Sequence, residues 1–381
     1  MDFRFSEQEE KFRKEVKEFL GTVVTNEGIE ELEKGTGIGP HTWEFMRKMG
    51  ERRWLAPAFS REYGGMGATR WQQFIIMDEA TYHRALPMAL CGVGIVGPML
   101  IHHGTEEQRR KFLPRIAKGE IEFALGYTEP EAGSDLANLQ IKAEKQGESY
   151  ILNGQKIFNT RCHYAQYVWL AARTDPQAPK HKGISLFMVD LKTPGITVRP
   201  LWAMDGERTN EVFYDDVKVP EENRVGEENK GFYYILTALA YERSFPVGNV
   251  RRTFEDFVEY VKAQGFGEDP LVRQRVAKLA TELQALHLLA YRVVWLVEKN
   301  KAPSWEAPMV KVSATEFMRK LGDTATEIMG LYGQLQKGSK WAPLKGRMEQ
   351  LYRHAAIGNI VAGSSEIQRN TIATVGLTLP R

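Results

Sequence analysis

A block of short strand-like segments, enclosed by two helical regions, limits the folds that are open to this chain. The segments, each bounded by turn residues, are 150–158, 167–172, 184–189, 196–198 and 211–214. Within the first of them, Asn153 and Gly154 predict a hairpin turn with a strand on either side. Short strands separated by turns favour an antiparallel sheet or barrel over alternating βαβ units.

Helical periodicity is found on both sides of this block. Ser6 and Glu9 have the spacing of a capping box, which predicts a helix near the start of the chain. After about residue 230 the pattern is helical again, and Leu279, Leu283 and Leu286 share one helical stripe. We therefore predict a mostly α protein with a central β domain. The expected domains are an N-terminal helical domain (1–120), a middle antiparallel β domain (121–228) and a C-terminal helical bundle (229–381).

Composition excludes several classes of protein. The 381 residues are 43% hydrophobic and carry 51 basic against 49 acidic side chains, a formal net charge of +2. A nucleic-acid-binding protein would cluster its basic residues, so no nucleic-acid partner is expected. No segment approaches the ~18 uninterrupted apolar residues of a membrane-spanning helix. The chain is charged from Arg4 onward without the apolar core of a signal peptide, so we expect a cytoplasmic protein with no membrane partner.

Neither a metal site nor a dinucleotide fingerprint is indicated. Cys91 and Cys162 are too few for a disulfide framework and lack metal-site spacing, and the histidines show none either. Gly92, Gly94 and Gly97 fit the pattern G-x-G-x-x-G, but that motif needs a preceding strand and an opening helix. Here the flanks look helical, so close helix packing or the lining of a ligand cavity is the better interpretation.

Four motifs carry a resemblance that covers essentially the whole chain. Residues 126–135 read GYTEPEAGSD, which alone would favour a plain loop. The others are 153–156 (NGQK), 224–227 (RVGE, followed by Gly231) and 363–369 (GSSEIQR). Together, in this order and spacing, they resemble the acyl-CoA dehydrogenase family. The resemblance implies a helix bundle, a β-barrel and a four-helix bundle, with FAD as cofactor.

The same resemblance implies a set of ligand-binding positions. Tyr127 and Thr128 match positions that face the flavin ring. Phe158 stands where many members carry a tryptophan against the flavin, and Thr160 matches a threonine near flavin N5. The implied FAD-binding residues are Tyr127, Thr128, Gly133, Ser134, Phe158, Thr160, Gly330, Ser364 and Glu366. The implied substrate-binding residues are Ser134, Arg243, Gly94 and Gly363.

Ala362 is an informative departure from the family pattern. Many members carry a glutamate just before this glycine, as the base that removes a proton from the substrate. An alanine side chain cannot accept a proton. The backbone amide of Ala362 remains, and the resemblance implies that it helps to hold the thioester carbonyl where enolate charge develops.

Glu242 is the candidate for a relocated base. Some members place this glutamate on a helix of the C-terminal domain, and the run Tyr241, Glu242, Arg243 matches that position, with Arg243 near the CoA moiety. Without the resemblance, Glu242 would be a surface carboxylate of little consequence beside an arginine. With it, we expect Glu242 to remove the α proton while flavin N5 accepts hydride from the β carbon. The product would be a 2,3-enoyl-CoA, with electrons passing to an electron-transfer flavoprotein.

Two further departures bear on assembly and substrate. Glu327 replaces a usual glutamine in the segment that covers the FAD pyrophosphate from a neighbouring subunit. The stretch 260–267 lacks an arginine that pairs with that pyrophosphate in many members. The missing arginine, the Tyr241–Arg243 run and an apparent insert at 338–343 look more like members that act on branched, cyclic or otherwise bulky acyl-CoA. The resemblance leaves both a homo-oligomer and an assembly with a related subunit open. Two alternatives stay open: a non-catalytic partner subunit and an acyl-CoA oxidase.

Overall fold

A helical layer forms the first part of the chain in the computed structural model. The structure describes residues 4–86, 90–242 and 246–380, with the backbone but not the side chains of 239–242. The first helices are α1 (Glu7–Val23), α2 (Asn26–Leu32), α3 (Pro40–Glu51), α4 (Arg70–Tyr82), α5 (Gly97–His103) and α6 (Glu106–Ala117). The capping box predicted at Ser6 and Glu9 is confirmed, because each side chain bonds the other residue's backbone amide. Such a cap stabilises a helix by about 1 kcal/mol.

One eight-stranded sheet follows. Its strands are β1 (Phe123–Gly126), β2 (Lys142–Gln146), β3 (Ser149–Lys156), β4 (Tyr167–Arg173), β5 (Ile184–Asp190), β6 (Ile196–Trp202), β7 (Arg208–Pro220) and β8 (Arg224–Val225). They are ordered β6-β7-β3-β2-β4-β5-β8, and β1 pairs with β4. The sheet is mixed rather than purely antiparallel, since β1 and β2 both run parallel to β4. The remaining pairs are antiparallel.

The hairpin expected at Asn153 and Gly154 is wrong. Strand β3 runs straight through both residues, and its register against β7 shifts between Leu152 and Gly154, which is a β-bulge. The Asn153 amide makes two 2.9 Å hydrogen bonds with Asp216 of β7, accepting from its backbone N–H and donating to its carboxylate. The asparagine therefore joins two neighbouring strands, and the turn lies earlier, where Gly147 has φ +60°.

The C-terminal part returns to helix. Its helices are α7 (Gly231–Glu242), α8 (Gly248–Ala263), α9 (Pro270–Glu298), α10 (Glu306–Met329), α11 (Arg347–Gly358) and α12 (Ser365–Thr371). The predicted stripe of Leu279, Leu283 and Leu286 is buried in a core formed mainly by α8, α9 and α10. The helix–β–helix order predicted from the sequence is confirmed. Among the described residues, every helix is too short or too polar to span a bilayer.

The glycine-rich segment before α5 is helical rather than a dinucleotide-binding loop. Gly92–Val96 forms a π-helical turn that runs directly into α5, with the amide of Gly97 bonded to the carbonyl of Gly92. A dinucleotide motif requires a strand before the glycines, and the described residues before this segment contain none.

Candidate active site

A buried ion pair anchors the loop that begins the first signature. Lys156, at the end of β3, has no exposed surface, and its Nζ lies 2.8 Å from a carboxylate oxygen of Glu129. The same Nζ donates to the carbonyl of Tyr127 at 2.9 Å. Burial lowers the pKa of Lys156 to about 8, and the neighbouring Glu129 carboxylate opposes that shift. The pair fixes Tyr127 and Thr128 on the end of β3.

Glu129 also holds the next stretch of chain. Its two oxygens accept the backbone amides of Gln140 and Ile141, at 2.5 and 3.1 Å. Gly133 and Ser134 lie between these anchors and are exposed to solvent. A loop tied at both ends, with small exposed residues between the ties, can offer its backbone to a ligand. The sequence alone did not single out Glu129 and Lys156, although both lie inside the quoted motifs.

Tyr127 and Thr128 meet the segment that carries Phe158. Trp169 donates its indole N–H to the hydroxyl of Tyr127 at 3.0 Å. The amide of Ile157 donates to the carbonyl of Thr128, also at 3.0 Å. The structure therefore brings together the flavin-facing positions that the resemblance implied in the first signature and after β3.

Phe158 has an unusual conformation. Its φ is +57°, in the left-handed region that large side chains avoid, and 60% of its surface is exposed. Backbone strain of this kind persists where the surroundings impose it, and it concentrates at functional sites. Here Asn210 on β7 holds the next residue, Asn159. Its carbonyl accepts the amide of Asn159 at 3.0 Å, and its side chain donates to the carbonyl of Asn159 at 2.8 Å.

Thr160 follows in the same exposed segment. Its hydroxyl lies 3.4 Å from the hydroxyl of Thr209, the residue before Asn210 on β7. The start of β7 thus supports both Phe158 and Thr160. Sequence reasoning missed Asn210, since nothing in its local pattern distinguishes it from other strand residues.

The C-terminal motif forms a second strained loop. Ala362 has φ +54° and Gly363 has φ +81°. Gln368, which is buried, donates its amide to the carbonyls of Ala362 and Gly363, at 3.2 and 3.4 Å. A Cβ on Gly363 would approach that amide nitrogen to 2.3 Å, so a side chain there would displace the Gln368 amide and would also strain the positive φ. Within the described ranges, the amide N–H of Ala362 donates no hydrogen bond, and it is available to a ligand.

The residues after this loop fit a polar cofactor. Ser364 caps α12, its hydroxyl accepting the amide of Ile367 at 3.4 Å. The hydroxyl of Ser365 and the amide oxygen of Gln368 are buried and find no partner among the described residues. Buried polar atoms are normally satisfied, so orphaned ones suggest a ligand group. Glu366 is exposed, and hydrogen bonds from its own amide and from Ser364 lower the pKa of its carboxyl.

Gly94 faces open space on the π-helical turn. A Cβ built on it meets nothing within 4 Å, whereas one on Gly97 would come 2.1 Å from the Phe59 ring and one on Gly92 would touch Ile116. Of the three glycines considered as cavity lining, only Gly94 keeps that interpretation. Gly92 and Gly97 serve close packing. Helix α7 packs against this turn and against α5.

Two of the predicted substrate and catalytic groups are not visible in the described side chains. Glu242 is the last residue of α7, and its side chain lies outside the described residues. Arg243 lies outside them entirely.

Gly330 ends α10 in a conformation that suits glycine. It has φ +57° and is exposed, and the following Leu331 is 82% exposed. Glu327, one turn earlier, pairs with Arg275 of α9. The Glu327 carboxylate is therefore paired with a cation of its own chain.

Comparison with known proteins identifies the family. Three family models match along the chain: the acyl-CoA dehydrogenase N-terminal domain over residues 6–120, the middle domain over 124–217 and the C-terminal domain over 229–377. Acyl-CoA dehydrogenase FadE26 of Mycobacterium tuberculosis is 34% identical over 100% of this chain and 99% of its own length.

Solved structures are similar over the full chain. One described as the Tcur3481-Tcur3483 steroid ACAD is 35% identical with a TM-score of 0.94, covering 100% of both chains. The ChsE4-ChsE5 complex from Mycobacterium tuberculosis is 34% identical with a TM-score of 0.91, again over 100% of both chains. The chain therefore belongs to the acyl-CoA dehydrogenase family of FAD-dependent oxidoreductases.

Proposed function

We propose that this protein oxidises a bulky acyl-CoA thioester to the 2,3-enoyl-CoA, with Glu242 as the base. The observation that carries the proposal is the packing of α7, which ends at Glu242, against the π-helical turn where Gly94 faces open space. Ala362, at the usual position of the base, has no acidic group. A helix that borders the acyl cavity is therefore the natural source of a replacement carboxylate.

Two sets of residues in this chain are suited to bind FAD, one on each side of the cofactor. The strained segment of Phe158 and Thr160, with the loop of Tyr127 and Thr128, would face the flavin ring. The loop of Ala362, with Ser364 and its neighbours, would meet the sugar and nucleotide side. When bound, FAD supplies the acceptor for the hydride that leaves the β carbon.

Proton removal is the part of the reaction assigned to protein groups. The C–H bond next to a thioester is a weak acid, so its deprotonation needs a positioned base and stabilisation of the enolate charge. Glu242 would take the α proton, and the unengaged amide of Ala362 would donate to the thioester oxygen. A backbone donor serves this purpose whatever the side chain, which explains how the loop keeps a role after the loss of its glutamate.

The acyl group is proposed to be branched, cyclic or steroid-derived. The open space at Gly94 supports this, and the similar solved structure described as a steroid ACAD points the same way. The assignment is to a class of substrates with bulky acyl groups.

Filling the space at Gly94 should narrow that substrate range. In Gly94→Phe, kcat/KM for a cyclic or steroid-derived acyl-CoA should fall at least about tenfold relative to a short straight-chain acyl-CoA, since pocket shape discriminates by about 1–3 kcal/mol for small changes. The matched change Gly97→Ala should instead destabilise the fold by about 1–3 kcal/mol through the clash with Phe59, leaving relative substrate preference unchanged. Equal losses on both substrates in Gly94→Phe would contradict the assignment.

The proposed assembly is oligomeric, with a second related subunit as the favoured partner. Exposed apolar side chains on the C-terminal part support an interface, among them Leu331, Tyr332, Ile360 and Val361. The ChsE4-ChsE5 structure is a complex of two named subunits, and this chain resembles it over its full length. Electrons are proposed to leave to an electron-transfer flavoprotein.

Flavin content and bleaching test the proposed activity. The chain should be purified alone and together with a candidate related subunit of the same family, and the flavin absorbance of each preparation titrated anaerobically with a panel of acyl-CoA thioesters. We expect bleaching by bulky thioesters in at least one preparation. A preparation that holds flavin and bleaches with none of them would overturn the proposal, and peroxide formed in aerobic turnover would favour an oxidase.

A further inference from the structure

The turn between β6 and β7 contacts both the N-terminal part of the chain and helix α11. Residues 203–207 close this hairpin, with the amide of Ala203 bonded to the carbonyl of Glu207 at 2.9 Å. Just after the turn, the amide of Arg208 donates to the carbonyl of Gly35 in the N-terminal part, at 2.8 Å. On the other side, Arg353 of α11 donates to the carbonyl of Met204.

A histidine and a buried aspartate form the centre of this junction. Nδ1 of His354, on α11, lies 2.7 Å from a carboxylate oxygen of Asp205. The Asp205 side chain has no exposed surface, and its other oxygen accepts the amide of Glu207 at 3.0 Å. A buried carboxylate that is hydrogen-bonded to a cation depends strongly on that partner.

One path from this pair leads to the segment of Phe158. The hairpin turn continues into β7, where Thr209 contacts Thr160 and Asn210 makes both hydrogen bonds that hold Asn159. A shift of the turn would therefore be felt at the flavin-facing segment.

The other path leads to the loop of Ala362. Helix α11 ends at Gly358, and the next residue, Asn359, accepts the amide of Ser365 at 2.8 Å and the ammonium of the buried Lys311 at 3.3 Å. The hydrogen bond between Asn359 and Ser365 closes the loop that contains Ala362. The position of α11 thus sets the position of the C-terminal motif.

We propose that His354 and Asp205 are a positioning pair that sets the Phe158 segment and the Ala362 loop relative to each other, in a manner that depends on protonation of His354. The proposal rests on the function proposed above, because it assigns both segments to the FAD site. His354 touches neither flavin nor substrate in this scheme and acts through the two loops.

The surrounding charges favour the cationic form of His354. The hydrogen bond to Asp205 raises the pKa of His354 above 6.5, although burial opposes the shift. Burial alone would raise the pKa of Asp205, but His354 and the amide of Glu207 outweigh it and lower that pKa. Glu207 lies 3.8 Å from the imidazole and adds to the attraction.

The other charged groups near the pair are largely engaged elsewhere. Arg353, the adjacent residue of α11, is bound by both carboxylate oxygens of Glu349. Arg161 acts electrostatically on Glu207. Because the pKa of His354 is raised, the ion pair's contribution to the stability of the folded arrangement is complete below pH 6.5. That contribution is lost as the pH rises through the pKa of His354 in the folded protein.

The test follows the flavin spectrum against pH in protein that carries Glu242→Gln. The Glu242→Gln background separates the two proposals. Near-normal turnover in this variant would contradict Glu242 as the base, whereas the pH titration of the flavin spectrum reports on His354 and Asp205 in either case. Visible circular dichroism of the FAD-loaded protein is recorded from pH 5.5 to 9, with EDTA present because Asp205, Glu207 and His354 offer three ligand atoms within 4.8 Å of one another. The variants are His354→Gln, Asp205→Asn and the control His41→Gln, an exposed histidine on α3.

The parent protein should show one titration with its midpoint above pH 6.5. His354→Gln should lose it and keep the spectrum of the parent at high pH throughout. Asp205→Asn, which keeps an acceptor for the Glu207 amide, should lower the midpoint by about one unit or more, and it decides the question if His354→Gln does not fold. His41→Gln should match the parent. A parent spectrum that is constant with pH, or an unchanged titration in His354→Gln or Asp205→Asn, would overturn the proposal.

Discussion

Replacing Glu242 with glutamine should lower turnover by about 10² to 10⁴ while FAD and acyl-CoA still bind, because a positioned general base contributes about that factor. The substitution keeps the size of the side chain and its hydrogen-bonding capacity but removes its ability to accept the α proton. Rapid-mixing measurement of flavin bleaching by a bulky acyl-CoA isolates the proton-removal step. Ligand binding, followed separately by equilibrium titration, should change little.

Glu227→Gln provides the matched control for this experiment. Glu227 is an exposed glutamate just before α7, and its backbone amide, not its carboxylate, bonds the hydroxyl of Tyr234. Its replacement should leave bleaching within about twofold of the wild-type rate, since isolated surface charges contribute little. Bleaching at a normal rate in Glu242→Gln would rule out Glu242 as the base.

Replacing Lys156 with methionine should destabilise the protein by about 3–5 kcal/mol. The change keeps most of the volume of the side chain but leaves the Glu129 carboxylate buried without its cation, and breaking a buried pair costs about that amount. Because the lysine also holds the carbonyl of Tyr127, FAD should be lost more readily as well. Urea unfolding gives the free energy, and flavin release during dialysis gives the second effect.

An exposed lysine in the same domain calibrates that loss. Lys180 lies 2.9 Å from a carboxylate oxygen of Asp135, and both side chains are more than half exposed. Lys180→Met should cost less than about 1 kcal/mol, because solvent screens the pair. The double change Glu129→Gln with Lys156→Met should recover part of the loss by removing the orphaned charge. Equal costs for Lys156→Met and Lys180→Met would show that burial of the first pair does not matter.

Local patterns predicted the elements of the fold but not how they are connected in the sheet. The capping box at Ser6 and the stripe of Leu279, Leu283 and Leu286 depend on residues within a few turns of one another, and both are confirmed. Asn153 and Gly154 look like a turn in isolation. Their conformation is decided instead by Asp216 on β7, a partner that lies far along the chain.

The site shows the same division. The motifs located the segments of Tyr127, Phe158 and Ala362, because each is a short run of unusual composition, and the roles assigned to their residues stay predictions. The groups that hold those segments in place could not be identified from the sequence. Asp205 and His354 are separated by 149 residues, and either one alone looks like an ordinary surface residue.

In the proposed function, the π-helical turn of Gly92–Val96 borders the acyl cavity, so its length would help to set which acyl groups fit. A π-turn contains one residue more than the α-helical turn it replaces, and this one runs directly into α5. Loss of a single residue at this point would therefore shorten the proposed cavity wall without changing the residues of α5. Selection for a differently sized acyl group could act on the length of this segment without rebuilding the domain around it.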